Sequence, residues 1–208
     1  MHDALTIIGG GDMLDVAWHA WSAARPDLRV ERREARQLQD YTFDLAVFEG
    51  LDPRERELFV AFDERFGNFK RLELMQAAQD RGFRPGAFVS PHAIVGQGVD
   101  IGSNVFIGDR VVLGAGTMVE SNSVILAAAV IGISAHLGPS CWIETGVAVG
   151  NRARIGAHAT LRTGVAISAH LSIGRNCELG IAGVYREDVA PGTIFDPRYD
   201  EPLRVYGA

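Results

Sequence analysis

From Val89 an aliphatic residue returns at every sixth position: Val89, Val95, Ile101, Ile107, Leu113, Val119, Ile125, Ile131, Leu137, Ile143, Val149, Ile155, Leu161, Ile167, Ile173 and Leu179. The series has sixteen members without a slip, and Phe83 fits one step earlier. Glycine usually follows the aliphatic residue, as at 96, 102, 108, 114, 132, 138, 150, 156, 174 and 180. Four residues after each aliphatic the side chain is mostly small, as in Ala129, Ala135, Cys141, Val147, Ala153 and Ala159. A period of six fits neither a helix nor a flat strand; it predicts a parallel β-helix in which three hexads make one coil. Residues 18 apart then stack in columns about 4.8 Å apart, with the aliphatic column inside and the glycines permitting the corner turns. Ser90 to Val184 runs without an insertion, so a little over five coils and no protruding loop are expected.

The first 82 residues carry a different pattern. "ALTII" (4–8), "LRVE" (28–31) and "FDLAVFE" (43–49) read as short strands, and "MLDVAWHAWSAA" has helical apolar spacing. "PRERELFVAFDERF" (53–66) reads as a second helix, with Pro53 at its start and Leu58, Phe59, Phe62 and Phe66 on one side. Strand–helix alternation predicts a small Rossmann-like α/β domain, too short for a full dinucleotide fold. The expected division is 1–82 for this domain, 83–184 for the β-helix and 185–208 for a C-terminal tail.

A net charge of −6 over 208 residues argues against nucleic acid or a membrane surface as the partner. The N-terminus lacks a signal-peptide pattern, and no uncharged apolar run reaches the roughly 18 residues of a membrane span, so a cytoplasmic protein is expected. Cys141 and Cys177 fall two coils apart in one interior column. A separation of about 9–10 Å is too far for a disulfide, so both read as reduced thiols and not as a metal pair. No close pair of histidines or cysteines offers metal-ligand spacing, and no catalytic metal is expected.

The opening "IIGGGDMLDV" followed by hexads such as "IGSNVFIGDRVVLGAG" resembles the two-domain sugar acyltransferases of the left-handed β-helix superfamily. That group includes sialic-acid O-acetyltransferases and N-acetyltransferases of nucleotide-linked 4-amino sugars. The resemblance implies left-handed coiling and a homotrimer with active sites between neighbouring prisms. It also implies acetyl-CoA in the inter-subunit groove and a nucleotide-sugar held by the N-terminal domain. Where the family keeps an acidic–His–acidic stretch, this chain has Leu126-Ala127-Ala128, so Ala127 vacates the base position. His136 matches the family's second histidine, nine residues later. The cofactor end of the groove maps to Arg154, Gly156, His158, Arg162 and Arg175, where arginines suit phosphate recognition.

Gly9, Gly10, Gly11 and Asp12 precede a helix N-terminus and fit an acceptor-phosphate cradle; alternatively Asp12 caps that helix while Asp15 complements its dipole. Glu31 ends a strand where a ribose hydroxyl could be met. His136 faces outward beside Leu137, with Met118 one coil below and Arg154 one coil above. Asp109, Glu144 and Thr145 are the nearby polar candidates on the acceptor side. His158 shares a column with Asn104, Asn122, Ser140 and Asn176, which reads as solvent-facing or trimer packing. The expected function is acyl-CoA-dependent N- or O-acyl transfer to a sugar or nucleotide-linked amino sugar, with His136 catalytic. The alternative is an inactive β-helix trimer that binds or scaffolds.

Overall fold

The computed structural model describes residues 3–64 and 68–205, which form two compact units, Met1–Phe88 and Val89–Ala208. Phe66, read above as a helical position, lies outside the described residues.

The first unit is a three-stranded parallel sheet of β1 (Ala4–Gly10), β2 (Arg29–Glu34) and β3 (Glu57–Phe62), in the order β2-β1-β3. Helix α1 (Asp12–Ala24) buries Met13, Leu14, Ala17 and Trp21. Helix α2 (Phe69–Gln79), which the apolar spacing did not announce, buries Leu74, Met75 and Ala78 together with Arg71.

Two elements differ from expectation. The segment 53–64 is not a helix: Pro53 occupies a tight turn in which the Glu55 amide donates to the Asp52 carbonyl at 3.1 Å, and "ELFVAF" then runs as β3. An unbroken apolar run suits a parallel strand covered on both faces, and Leu58 to Phe62 are all buried. The segment 43–49 is not a strand either; Leu45–Phe48 make a single 3₁₀ turn. The Asp44 carboxylate accepts from the Ala46 amide at 3.0 Å and starts that turn, which lets Phe43 and Phe48 both enter the core.

The second unit is a parallel β-solenoid of about six turns. Its first face stacks Phe88–Val89, Phe106–Ile107, Val124–Ile125, Trp142–Ile143, Thr160–Leu161, Glu178–Leu179 and Thr193–Phe195. The second carries six strands, from Ile94–Val95 to Gly183–Tyr185, and the third five, from Asp100–Ile101 to Ser172–Ile173. Parallel pairing joins residues 18 apart, as in Ile125↔Ile143 and Leu137↔Ile155. The last rung departs from it: Glu178 pairs with Ile194. From Ile107 to Leu179 every aliphatic of the series is at most 3% exposed, whereas Val89 and Val95, in the coil that begins the stack, are 37% and 44% exposed. Both cysteines are free and buried, and burial pushes the Cys177 thiol upward.

The glycines do not make the corners, as the hexad pattern suggested. Left-handed backbone falls two residues after the glycine slot, at every sixth position from Gly98 to Asn176. Asparagine, serine, arginine and histidine fill many of these positions, and Ala128 is among them with φ 59°. Ten of the sixteen slots after the aliphatic residue are glycine for another reason, because successive coils cross closely there; Ser90, Glu120, Leu126, Glu144, Arg162 and Ser168 fill the other six. A Cβ on Gly102 would lie 2.5 Å from the Ser121 nitrogen, and one on Gly156 equally close to that of Arg175.

Three members of the polar column are not solvent-facing, while His158 and Asn176 are half-buried. Asn104, Asn122 and Ser140 are buried and stack in a ladder: the Asn104 Nδ2 donates to Asn122 Oδ1 at 3.0 Å, and Asn122 Nδ2 to Ser140 Oγ at 2.9 Å. Side chains that bond to their own repeat above satisfy themselves without water.

Gly156→Ala should therefore destabilise by about 3 kcal/mol or more, since backbone must move. Gly146→Ala, with φ 73° and open space around the added atom, should cost only about 1–2 kcal/mol for left-handed strain. Urea denaturation of the two variants checks this order.

Candidate active site

His136 projects from the third face, and its strand neighbours are Met118 below and Arg154 above. Its Nε2 lies 2.5 Å from Oε1 of Glu120, and both side chains are partly open to solvent. With Nε2–H donating to the carboxylate, Nδ1 keeps a lone pair for a proton. Glu120 was not among the residues singled out from the sequence, although a signal exists. It stands in the crowded glycine slot, in a column whose other members are Gly102, Gly138, Gly156 and Gly174.

A second group gathers at the corner after the first face. Asp109, Ala127 and Thr145 are 18 apart and stack there. Asp109 Oδ1 accepts from the Ser90 hydroxyl at 2.5 Å, while the Ala128 amide donates to the Asp109 carbonyl and the Gly146 amide to that of Ala127. Glu144 accepts from Arg162 Nη1 at 2.8 Å and from the Thr163 amide at 2.8 Å. Arg162 also reaches Glu178 through Nε and Nη2. Burial raises the Glu144 carboxyl, but the bonds from Arg162 and Thr163 outweigh it and hold the group below its ordinary range. Arg162 is thus engaged by two carboxylates.

Within one chain the candidates divide among positions. His136 and Arg154 share the third face; Asp109, Glu144, Thr145 and Arg162 share the corner after the first. Gly156, His158 and Arg175 lie at the corner between the third face and the first, where the His158 amide donates to the Pro139 carbonyl. At that corner Gly156 is the close-approach glycine described above.

In the first unit, Gly9–Gly11 lead from β1 into α1. The helix N-terminus is held by Asp63, which follows β3: its carboxylate accepts from the Asp12 amide at 3.1 Å and the Met13 amide at 2.7 Å. The cap is therefore Asp63 and not Asp12, because Asp12 is the first residue inside the helix and Gly11, which has no side chain, holds the N-cap position. Gly9 and Gly11 are also demanded by packing, since added Cβ atoms would lie 1.3 Å from the Ala61 carbonyl oxygen and 1.7 Å from Asp63 Oδ2. Asp15 pairs with Arg32, and Glu31 with Arg29 at 2.6 Å and Arg56 at 3.1 Å. Among the described residues no cluster of three His, Cys, Asp or Glu could hold a metal ion, and no helix is long and apolar enough to cross a membrane.

The solenoid with its six-residue repeat, together with the small α/β unit, makes the chain similar to the hexapeptide-repeat sugar acyltransferases. A variant of GDP-perosamine N-acetyltransferase from Caulobacter crescentus, with a histidine replaced by alanine and solved with CoA and GDP-perosamine, is 25% identical, superposes with a TM-score of 0.79, and is matched over 92% of each chain. The histidine-to-asparagine variant of that enzyme is 26% identical, with a TM-score of 0.78 over the same shares. The acetyltransferase domain of PglB from Neisseria gonorrhoeae shares the fold at 20% identity and a TM-score of 0.67, over 97% of this chain and all of that one. No family model and no curated protein matches the sequence.

Glu144 sits below its ordinary range only in the folded state, so its ionisation stabilises above the unfolded value of about 4.5 and that stabilisation is lost as pH falls through the folded value. The stability difference between wild type and Glu144→Gln should accordingly be largest near neutrality and shrink below pH 4.5. Denaturation midpoints across pH 3–7 test it; a difference that grew on acidification would contradict the network.

Proposed function

We propose that the chain is an acyl-CoA-dependent N-acyltransferase whose acceptor is an amino sugar, in particular one linked to a nucleotide. The observation that carries this is the near end-to-end likeness to an N-acetyltransferase solved with CoA and GDP-perosamine. That neighbour holds both ligands with a histidine replaced by alanine, so in this fold loss of an imidazole is compatible with ligand binding.

In the reaction, the lone pair of the acceptor amine attacks the thioester carbonyl carbon. The N–C bond forms, and main-chain N–H groups stabilise the oxyanion. Collapse breaks the C–S bond and releases CoA; the ammonium proton passes to His136 Nδ1 and from there to the departing thiolate. An amine suits this site better than a hydroxyl, being nucleophilic once deprotonated and less dependent on a strong base. Arg154, directly above His136, and Arg175 are the arginines we assign to the phosphates of acyl-CoA. Arg162, held by Glu144 and Glu178, serves to shape the corner. Gly156 and His158 line the same end. Asp109 and Thr145 face the acceptor together with Glu144, and Gly9–Asp12 form the acceptor-side loop of the first unit, with Asp63 rather than a phosphate on the helix amides.

We further propose left-handed coiling and a homotrimer. The outward column of the second face supports the trimer, for Ile94, Val112, Val130, Ala148, Ala166 and Val184 are all apolar, with Val130 46% and Val184 56% exposed. Apposed prisms would bring the third face of one chain to a corner of the next, joining groups that one chain keeps apart. Buried reduced cysteines suit the cytoplasm. The competing reading, an inactive binding trimer, is favoured by one observation: Ala127 and Ala128 bring no side-chain polar atom to their corner.

CoA should raise the melting temperature, and acetyl-CoA with a nucleotide-linked amino sugar should release free thiol. His136→Ala should lower kcat on the order of 10²-fold or more. If CoA binds and no acceptor gives turnover, the scaffold reading stands; if CoA leaves the melting curve unchanged, the transferase reading falls. Val130→Glu should shift sedimentation from trimer to monomer.

A further inference from the structure

The geometry points to Glu120 as the positioning residue for the base: its carboxylate fixes the ring of His136 and offsets the charge that the ring acquires on taking the acceptor's proton. The inference rests on the transferase reading above, but its evidence is local. Oε1 of Glu120 lies 2.5 Å from Nε2 of His136, across 16 residues of sequence and two corners of the solenoid.

Glu120 interrupts a column that is otherwise glycine from Gly102 to Gly174. Its slot is glycine one coil below, at Gly102, and in the three coils above, at Gly138, Gly156 and Gly174. At Gly102, Gly156 and Gly174 an added Cβ would come within 2.3–2.5 Å of the next coil's backbone. The coil above Glu120 reads Gly138-Pro139, and the Glu120 amide still donates to the Leu137 carbonyl at 2.9 Å, so the backbone ladder survives. The side chain that enters this crowded position points its acceptor at the one outward histidine on the third face.

The chemical consequence follows from which nitrogen is used. Glu120 accepts the Nε2 proton, so Nδ1 is the basic atom. When the amine's proton arrives at Nδ1 the ring becomes cationic, and the adjacent carboxylate stabilises that cation; when Nδ1 gives the proton to the thiolate of CoA, the neutral ring returns to the same orientation. Ala127 and Ala128 supply nothing of this kind. The pair on the third face is then a base assembled from two coils, where a single stretch of chain carries no base.

The test uses the full-length protein and two independent readouts. In ¹⁵N-edited spectra, wild type should show a His136 ring Nε2–H signal, moved downfield and slowed in solvent exchange by its charged acceptor. Glu120→Gln, isosteric and with unchanged backbone spectrum, should lose the downfield shift, and Glu120→Asp should recover part of it. In turnover, Glu120→Gln should lower kcat by about 10-fold or more while the KM for acetyl-CoA stays within about twofold, and in a His136→Ala background it should cause no further loss. The proposal is overturned if the ring N–H signal is the same in wild type and Glu120→Gln, or if the variant costs as much turnover without His136 as with it. Absence of turnover with every acceptor would defeat the transferase reading, and the spectra would still decide whether Glu120 orients the ring.

Discussion

Everything in the second unit depends on the closeness with which one coil's backbone lies on the next. At the start of each corner an amide donates directly to the coil above: Gly102 to Val119, Glu120 to Leu137, Gly138 to Ile155 and Gly156 to Ile173, all at 2.8–2.9 Å. This contact sets the 18-residue turn, and with it the vertical neighbours of every side chain. It favours glycine in the slot beside it, stacks Asn104 on Asn122 on Ser140, and seals the aliphatic column. The fold is thus specified by backbone proximity as much as by apolar burial.

The first unit follows a different logic. Its sheet is short, and Phe43, Phe48, Phe62 and Phe83 from outside and inside the strands close one core around Leu74 and Met75. Asp63 acts as an internal anion at the start of α1, which ties the loop after β3 to the turn after β1. The glycine run there is consequently a place where two loops and a carboxylate pack, whatever else it also does.

The parts of the molecule that could be read in advance are those where one rule repeats. A residue buried in every coil must be aliphatic in every hexad, so the solenoid, its interior column and the lack of a disulfide between the two cysteines were legible at once. Single apolar runs carry no such redundancy: "ELFVAF" satisfies a helical spacing and a buried strand equally, and only its parallel neighbour decides. The second helix was missed because its inward face includes a buried arginine, Arg71. The glycine that follows each aliphatic suggested the corners, yet the corner conformation falls two residues later, on Gly98, Gly116, Gly146 and Gly164 but more often on Asn, Ser, Arg, His and even Ala128. At the candidate site, His136 was visible as a lone outward ring, whereas its partner was not, because a contact spanning two corners has no sequence spacing of its own. Only the interruption of the glycine column marks it.

The regular stacking has a further consequence for how such a molecule can change. Along the prism a functional group can be moved only by one strand spacing, and around it only by one face, because every intermediate position points inward or is closed by the neighbouring coil. The surface behaves as a lattice with numbered addresses. Inserting or deleting a residue would displace every address beyond it, so new chemistry has to arrive by substitution at existing ones. A base proposed at Glu120 and His136, at addresses away from Ala127 and Ala128, is the kind of placement that a lattice permits and a loop-built site does not require.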